Sequence, residues 1–543
     1  MKAEGGRRKE KTAFTSSFIL HPSSLALVLG ALTVAGFAPF SLFPLPVLAL
    51  AVLLHLWQRA PTPGRAAAIG FGYGLGLFLA GVSWVYVSLH DFGAMPAPLA
   101  AIATLLFCAF LAVFPALVGY FAVAMPMASA IRFVVFVPAA WTLAEWTRGW
   151  VFTGFPWLAL GYSQVPASPL AGYAPVLGVY GVTLMTVMTS GLLVVLWQRY
   201  RANDERGRSD SKDESGRRKA EGSSQQASYS FSFMLHPSSF ILIALWLAGW
   251  ALKQLEWTQP LGTPVSVSLL QGNVPQDLKW RPDRIRNTLD SYRRLAEAST
   301  SRLIILPETA LPLFLDDVPR DYLSDLAAHA RKNGGDILIG VPERRANGEY
   351  YNSVLSFGAA PTQIYHKSHL VPFGEFIPLR PVLGRIVSVL SIPLQDFSRG
   401  AEIQQPLAVA GQRVAVNVCY EDAFGEEIIR QLPAATLLVN VSNVAWFGRS
   451  IAPQQHLQIS QARALETGRY MLRATNTGVT AVINSRGRVE KSAPEFTRAI
   501  VTHDVPGLQG ATPYVRWGNY GVLAIVTMLI GVAAWVSARR DKA

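Results

Sequence analysis

The sequence is poor in charged residues. Asp, Glu, Lys and Arg make up only 15% of the 543 residues, and hydrophobic residues make up 51%. Soluble globular domains carry about 25% charged residues. The shortage therefore excludes an ordinary soluble protein as a description of the whole chain and indicates a membrane protein.

Cysteine is scarce as well. There are two, Cys108 inside an apolar stretch and Cys419 far from it, and no CxxC spacing occurs. A framework of several disulfides and a cysteine-rich zinc site are excluded, and we expect no disulfide between these two residues. The net charge of +13 comes from basic residues in short segments beside apolar stretches, so we expect no nucleic-acid partner.

The apolar residues are concentrated in segments that approach membrane-crossing length, about 20 residues. We predict eight transmembrane helices, near 18–38, 44–58, 66–88, 98–122, 126–145, 174–197, 231–252 and 518–537. The second segment is short and could be re-entrant. The first could instead be a signal peptide, since a basic start precedes its apolar core.

Basic residues alternate between the loops and predict the orientation of the chain. They are frequent in the tail 1–17, the loop 59–65, the segment 199–230 and the C-terminal tail, and nearly absent from the intervening loops. Because cytoplasmic loops carry the excess of Lys and Arg, both termini are predicted inside. Residues 1–17 then form a basic cytoplasmic tail, and 199–230 a cytoplasmic, disordered linker. Residues 263–506 lie outside the cytoplasm.

The segment 263–506 alternates strand and helix patterns. Strands are predicted at 265–270, 303–306, 336–341, 350–357, 413–418, 436–440 and 479–484, and helices at 283–298, 321–332 and 454–468. Short alternating or buried apolar runs separated by amphipathic segments are typical of an α/β domain.

Three segments of this domain carry reactive side chains at or near strand ends. Glu308 lies in LIILPETA (303–310), Lys367 in YHKSHLVPFGEFIP (365–378) and Cys419 in RVAVNVCYED (413–422). A partly desolvated carboxylate is a competent general base, and a cysteine in a turn after a strand is a common nucleophile. A lysine among apolar residues keeps its charge near a carboxylate, for which Glu375 is a plausible partner, and can stabilise an oxyanion.

Each of these residues also has an ordinary explanation when taken alone. Cys419 could be an inert buried cysteine, and Glu308 a solvated loop residue. His366 and His369 have no third ligand at a suitable spacing, so we predict no metal site. Together, however, a base, a cation and a thiol are the parts that nucleophilic acyl chemistry requires.

The order of these motifs resembles a known superfamily. Glu in a strand–Pro–Glu segment, Lys in KSHLVPFGE and Cys in CYE are similar to the Glu–Lys–Cys triad of the nitrilase, or carbon–nitrogen hydrolase, superfamily. QGNVPQDLKW (271–280), SNVAWFG (442–448) and TGFPWLALGYSQ (153–164) resemble the apolipoprotein N-acyltransferase family, as does the order of seven spans, a domain and one span. The resemblance implies a polytopic α-helical membrane protein with an inserted nitrilase-like α-β-β-α sandwich domain. It would consist of helices 1–6 in 18–198, helix 7 in 231–252, the catalytic domain in 263–506 and helix 8 in 518–537.

The resemblance also implies roles for nine residues. It makes Glu308 the general base, Lys367 the oxyanion stabiliser and Cys419 the nucleophile. It gives supporting positions to Glu375, Tyr420 and Glu421, and substrate-binding positions to Trp280, Trp446 and Phe447. Leu306 and Asp422 depart from a frequent form of the family, outside the triad.

The implied reaction uses no metal or other cofactor. A phospholipid would donate an acyl chain to Cys419 as a thioester, and the α-amine of a diacylglyceryl-apolipoprotein would accept it in a ping-pong mechanism. The implied setting is the lipid of a bacterial inner membrane, with the catalytic domain of a monomer on the periplasmic side. The alternative is a membrane-anchored amidase, which would share the triad but hydrolyse a small amide.

Overall fold

The computed structural model describes residues 21–213, 236–377 and 397–540. The predicted tail 1–17 and most of the predicted linker 199–230 therefore lie outside the described residues. The longer helices of the apolar part are α1 (Pro22–Thr33), α2 (Pro44–Gln58), α3 (Pro63–Val82), α4 (Ala97–Ala124), α5 (Val137–Arg148), α6 (Ala174–Asp213) and α7 (Pro237–Gln254).

Four helices among the described residues are long and apolar enough to cross a membrane. They are Pro63–Val82, Ala97–Ala124, Pro169–Glu205 and Tyr520–Arg539. Pro22–Gly36 and Pro44–Gln58 are shorter apolar helices, and the predicted spans at 126–145 and 231–252 overlap α5 and α7. Several membrane-spanning helices are thus present, while the number eight stays a prediction.

The start of the predicted disordered linker is instead helical. The sequence predicts that the linker begins at residue 199, but α6 continues to Asp213. The apolar part of α6 supplies a helix that is already formed, so each further residue adds a hydrogen bond without a new nucleation cost. The sequence from 199 to 213 contains no proline and places opposite charges four residues apart, as at Asp204 and Arg208, which favours this extension.

The α/β domain contains two six-stranded sheets. Its strands are β1 (Thr258–Gln271), β2 (Leu303–Ile305), β3 (Asp336–Arg344), β4 (Tyr350–Gly358), β5 (Gln363–His366), β6 (Leu407–Val409), β7 (Gln412–Val418), β8 (Leu437–Ser442), β9 (Met471–Thr475), β10 (Ala481–Ile483), β11 (Val489–Ser492) and β12 (Ala499–Gly510). The order is β12-β1-β2-β3-β4-β5 in one sheet and β11-β10-β9-β8-β7-β6 in the other.

The period of two along the strands builds a four-layer sandwich. In β2, Leu303 and Ile305 enter the core between the sheets, where they share a cluster with Val416 of β7. Ile304 faces the opposite way and packs under the helices α8 (Pro282–Glu297) and α9 (Arg320–Lys332). Helix α10 (Ala452–Thr467) covers the second sheet. The predicted α-β-β-α arrangement is confirmed.

Strand direction explains where the reactive residues meet. β1, β2 and β3 are parallel, as are β7, β8 and β9. β5 follows two antiparallel pairings from β3, so it runs in the same direction as β3. The carboxyl ends of β2 and β5 therefore share one edge of the first sheet, and those of β7 and β8 share one edge of the second.

Helix α10 joins this domain to the apolar helices. The Gln455 side chain accepts hydrogen bonds from the indoles of Trp84 and Trp157, at 3.2 and 2.8 Å. Glu466 accepts a 2.6 Å hydrogen bond from the Val179 amide, just after Gly178 breaks α6 with a positive φ of 69°. A carboxylate at the beginning of a helical segment is favourable for its unpaired amides and dipole. The last helix, α11 (Tyr520–Arg540), follows the domain.

Candidate active site

Cys419 lies in a turn at the carboxyl end of β7. Val414, Val416 and Val418 fill the core between the sheets, and the next residue, Cys419, has a positive φ of 54°. Such a backbone conformation is costly for a non-glycine residue and persists where the surroundings enforce it. Here the Cys419 carbonyl accepts hydrogen bonds from Asn440 Nδ2 at 3.0 Å and from His456 at 3.2 Å. Cys419 is a free cysteine, and the residue as a whole is half-buried.

Lys367 lies between two buried carboxylates. Its Nζ is 2.8 and 2.9 Å from the two oxygens of Glu375 and 3.6 Å from Oε1 of Glu308. The Lys367 side chain is only 1% exposed. The structure thus brings Lys367 together with Glu308 and with the carboxylate partner that the sequence suggested.

Two asparagines complete the hydrogen bonding of these carboxylates. Asn352 Nδ2 donates to Oε1 of Glu308 at 2.8 Å and to Oε1 of Glu375 at 2.9 Å. The backbone amide of Asn443 donates to Oε2 of Glu308, and that of Val371 to Oε2 of Glu375, both at 2.8 Å. Every carboxylate oxygen of the pair therefore has a donor, as buried charged groups require.

The electrostatics keep Glu308 and Lys367 charged and the Cys419 thiol neutral. Burial alone would raise the pKa of Glu308, but Lys367, Asn352, Lys279 and the Asn443 amide together hold it below its usual value. Burial alone would lower the pKa of Lys367, but Glu375 and Glu308 raise it well above its usual value. Burial, reinforced by Glu308, raises the pKa of the Cys419 thiol. The resting state is thus a thiol beside a carboxylate and an ammonium.

Glu421 connects the Cys419 turn to the segment that carries Lys367. Its carboxylate accepts from the amides of Val418 at 2.6 Å, Ser368 at 2.6 Å and His369 at 3.0 Å. The hydroxyl of Tyr365 donates to both carboxylate oxygens, at 3.2 and 3.1 Å. Glu421 thereby fixes the two segments relative to each other.

Tyr420 and His369 attach the turn to the loop before α6. The Tyr420 hydroxyl donates to the Gly154 carbonyl at 2.9 Å, and its ring stacks near Trp157. His369 contacts the Thr153 carbonyl through Nε2 at 2.9 Å and Glu427 through Nδ1 at 3.0 Å. His369 is therefore a structural contact. Among the described residues, no group of three His, Cys, Asp or Glu side chains could hold a metal ion.

The three aromatic residues with expected substrate contacts lie in two loops beside the site. Trp280 and Trp446 are 51% and 41% exposed, respectively. Trp446 contacts Phe92 edge-on, with ring centroids 6.2 Å apart, and Phe447 contacts Trp84 at 4.6 Å. The loop with Trp446 and Phe447 therefore packs on the segment between α3 and α4.

Asp422, which departs from the frequent family form, lies in a buried polar network below the turn. Its carboxylate contacts His456 Nε2 at 2.6 Å, Ser460 Oγ at 2.5 Å and Arg473 at 3.2 Å. Arg473 also donates to Asn440, which in turn donates to the Cys419 carbonyl. Sequence reasoning missed this network, because its members are far apart in the chain and carry no local signal.

The fold and the grouped carboxylate, ammonium and thiol define a carbon–nitrogen hydrolase domain built onto apolar helices. The carbon-nitrogen hydrolase family model matches residues 266–514, and the model of the apolipoprotein N-acyltransferase N-terminal domain matches residues 29–192. An apolipoprotein N-acyltransferase of Nitrosomonas europaea is 54% identical over 95% of this chain and 98% of its own length. Others from Chromobacterium violaceum and Methylococcus capsulatus are each 44% identical, over 93% and 94% of this chain and 93% and 95% of their own lengths. The chain belongs to the apolipoprotein N-acyltransferase family.

Proposed function

We propose that the protein transfers an acyl chain from a phospholipid to the α-amine of a diacylglyceryl-cysteine at the N-terminus of an apolipoprotein. Cys419 is the nucleophile and carries the chain as a thioester. Glu308 is the general base, and Lys367 stabilises the oxyanion. The activity in the names of the similar proteins supports this assignment.

One observation carries the proposal: the reactive turn is in direct contact with the apolar part of the protein. Tyr420, the residue after the nucleophile, donates to the Gly154 carbonyl, and Phe152 in the same loop is 63% exposed. A thiol placed beside apolar helices can meet an ester within a membrane lipid. A lipid substrate would not have to leave the bilayer completely.

The first half-reaction begins from the neutral thiol. Because the pKa of Cys419 is raised and that of Glu308 is lowered, proton transfer to Glu308 must accompany the attack of sulfur on the ester carbonyl. The carbon–sulfur bond forms, and the carbonyl oxygen gains negative charge beside the Lys367 ammonium. When the carbon–oxygen bond breaks, the proton on Glu308 passes to the departing lysophospholipid oxygen.

The second half-reaction uses the same groups. The neutral α-amine attacks the thioester carbonyl, and Glu308 accepts a proton from the nitrogen. As the carbon–sulfur bond breaks, that proton passes from Glu308 to the departing Cys419 sulfur, which returns to the thiol. An amide replaces the thioester, so no oxidant or reductant is needed. Glu375 keeps Lys367 charged and in place through both steps. Glu421 and Tyr420 support the turn, while Trp280, Trp446 and Phe447 contact the lipid chains.

We further propose eight transmembrane helices, with both termini in the cytoplasm and residues 263–506 on the periplasmic side of the inner membrane. The alternation of basic loops supports this orientation. Four long apolar helices and two shorter ones among the described residues are compatible with it. A single chain contains all the residues of the proposed site, so we propose a monomer.

The competing function is that of a membrane-anchored amidase. Incubation with phospholipid in the absence of any amine acceptor separates the two. We expect mass spectrometry to find a long-lived acyl adduct on Cys419 and about one equivalent of lysophospholipid. Continuous release of free fatty acid without an acceptor would refute the transferase and favour the hydrolase.

A further inference from the structure

Lys279 is a buried cation that the proposed mechanism does not use. It is 3% exposed, and its ammonium donates to the backbone carbonyl of Glu308 at 3.3 Å. Within the described ranges it forms no ion pair with a carboxylate. Its immediate neighbour in the chain is the exposed Trp280. The exposed Trp280 is thus held close to Glu308 by the hydrogen bond of its neighbour, Lys279.

A second connection reaches Glu308 from the same loop. Gln276 Oε1 accepts a 2.7 Å hydrogen bond from the Asn443 side chain. The backbone amide of Asn443 donates to Oε2 of Glu308 at 2.8 Å. Gln276 and Asn443 are 8% and 5% exposed, so water competes little for these bonds.

Asn443 also begins the loop with the other aromatic residues. The helical turn Val444–Phe447 follows it directly and contains Trp446. Two loops, 273–281 and 443–448, therefore contact Glu308, and each bears an exposed tryptophan. The first binds the backbone carbonyl of Glu308 and the second binds one carboxylate oxygen. They are also bonded to each other through Gln276 and Asn443.

We propose that Lys279, Gln276 and Asn443 are positioning residues that couple the two aromatic loops to Glu308, so that a lipid seated on these loops meets an ionised and correctly oriented base. The coupling rests on the proposed role of Glu308. Its physical basis is that Lys279 adds positive charge near Glu308, while the Asn443 amide stabilises the ionised carboxylate. The ammonium of Lys279 and the Asn443 amide both lower the pKa of Glu308, in the same direction as Lys367 and Asn352 and against burial.

The test measures Cys419 alkylation by iodoacetamide as a function of pH in the full-length protein, in a Cys108→Ala background where Cys419 is the remaining thiol. This readout needs no lipid. Lys279→Met should move the acidic limb of the rate profile upward by about one pH unit, because Glu308 then takes up a proton more readily. Lys279→Arg should shift it less, and Glu308→Gln should remove the limb.

The matched control is Lys332→Met, which removes a cation from the exposed end of α9 and should leave the limb in place. Gln276→Leu breaks the bridge between the loops without changing charge, and a smaller upward shift is expected. If Lys279→Met does not fold, the shift in Gln276→Leu alone tests the coupling. If the acidic limb stays in place in folded Lys279→Met and Gln276→Leu, the coupling is wrong. An equal shift of the limb in Lys332→Met would also overturn it.

The outcome is separable from that of the proposed function. If the limb shifts but the unmodified enzyme takes no acyl chain from phospholipid, the coupling holds and the transferase assignment fails. If an acyl adduct forms normally and the limb does not shift, only the coupling fails.

Discussion

Replacement of Lys367 by methionine tests how charge is balanced in the site. Lys367 Nζ lies 2.8 Å from Glu375 and 3.6 Å from Glu308, and all three side chains are buried. Methionine has a similar length but no charge. The variant would leave two carboxylates bridged only by the Asn352 amide, whose Nδ2 is 2.8 and 2.9 Å from their oxygens.

Two losses are expected from Lys367→Met. Removal of an oxyanion donor costs about a hundredfold or more in rate. Two close, buried carboxylates without a cation cannot both remain ionised, so one takes up a proton and Glu308 is impaired as a base. Removing one partner from such a buried group destabilises a protein by about 3–5 kcal/mol. Mass spectrometry of the Cys419 thioester measures the loss of rate. Thermal unfolding in detergent measures the loss of stability.

The double variant Lys367→Met/Glu375→Gln distinguishes lost catalysis from lost charge balance. It removes the second carboxylate charge as well, so we expect much of the stability to return while thioester formation stays slow. A double variant no more stable than Lys367→Met would show that uncompensated carboxylate charge is not the cause of the lost stability. Lys332→Met, at the exposed end of α9, should change neither quantity.

The stability of Lys367→Met should depend on pH in a direction that the charge balance predicts. In Lys367→Met the carboxylate pair has a raised pKa in the folded state. The contribution of this pair to the stability of the folded state is then fully present at low pH and is lost as pH rises through that value. The unfolding temperature should fall more between pH 5 and pH 8 in this variant than in the unmodified protein. An equal fall in both would contradict the pairing.

Further predictions concern the nucleophile, the cation and the topology. Cys419→Ala should abolish acyl adduct formation, whereas Cys108→Ala should leave it unchanged, since Cys108 is buried within α4; an adduct in Cys419→Ala would sink the assignment. Lys367→Arg should be about as slow as Lys367→Ala, because a planar guanidinium cannot replace a compact ammonium between two carboxylates. Full activity of Lys367→Arg would show that charge alone suffices. A reporter active only outside the cytoplasm should work when inserted at the exposed turn residue Gly411 and fail after Ala543, and the reverse pattern would overturn the orientation.

The sequence was informative where the fold follows local patterns. Leu303, Ile304 and Ile305 alternate between two cores, and Glu308 lies just after that strand as predicted. The predicted helix at 283–298 corresponds to the observed Pro282–Glu297. In both cases the period of the apolar residues is the physical signal, and it is contained within a few residues of chain.

The remaining parts of the site depend on contacts between distant residues. Asn352 lies inside β4 and Asn443 just after β8, and an amide in such a place has no pattern that marks it as a partner of Glu308. Lys279 resembles any loop lysine until the fold buries it. The helical start of the predicted linker was missed because composition does not register the helix that already precedes it.

The most direct test of the central claim follows one acyl chain through both half-reactions. The enzyme is loaded from labelled phospholipid, separated from free lipid, and mixed with a synthetic peptide that begins with diacylglyceryl-cysteine. We predict that the label leaves Cys419 and appears, one for one, as an amide on the peptide α-amine, while a peptide with an acetylated α-amine receives none. Release of the label as free fatty acid, or labelled peptide from a Cys419→Ala enzyme, would contradict it.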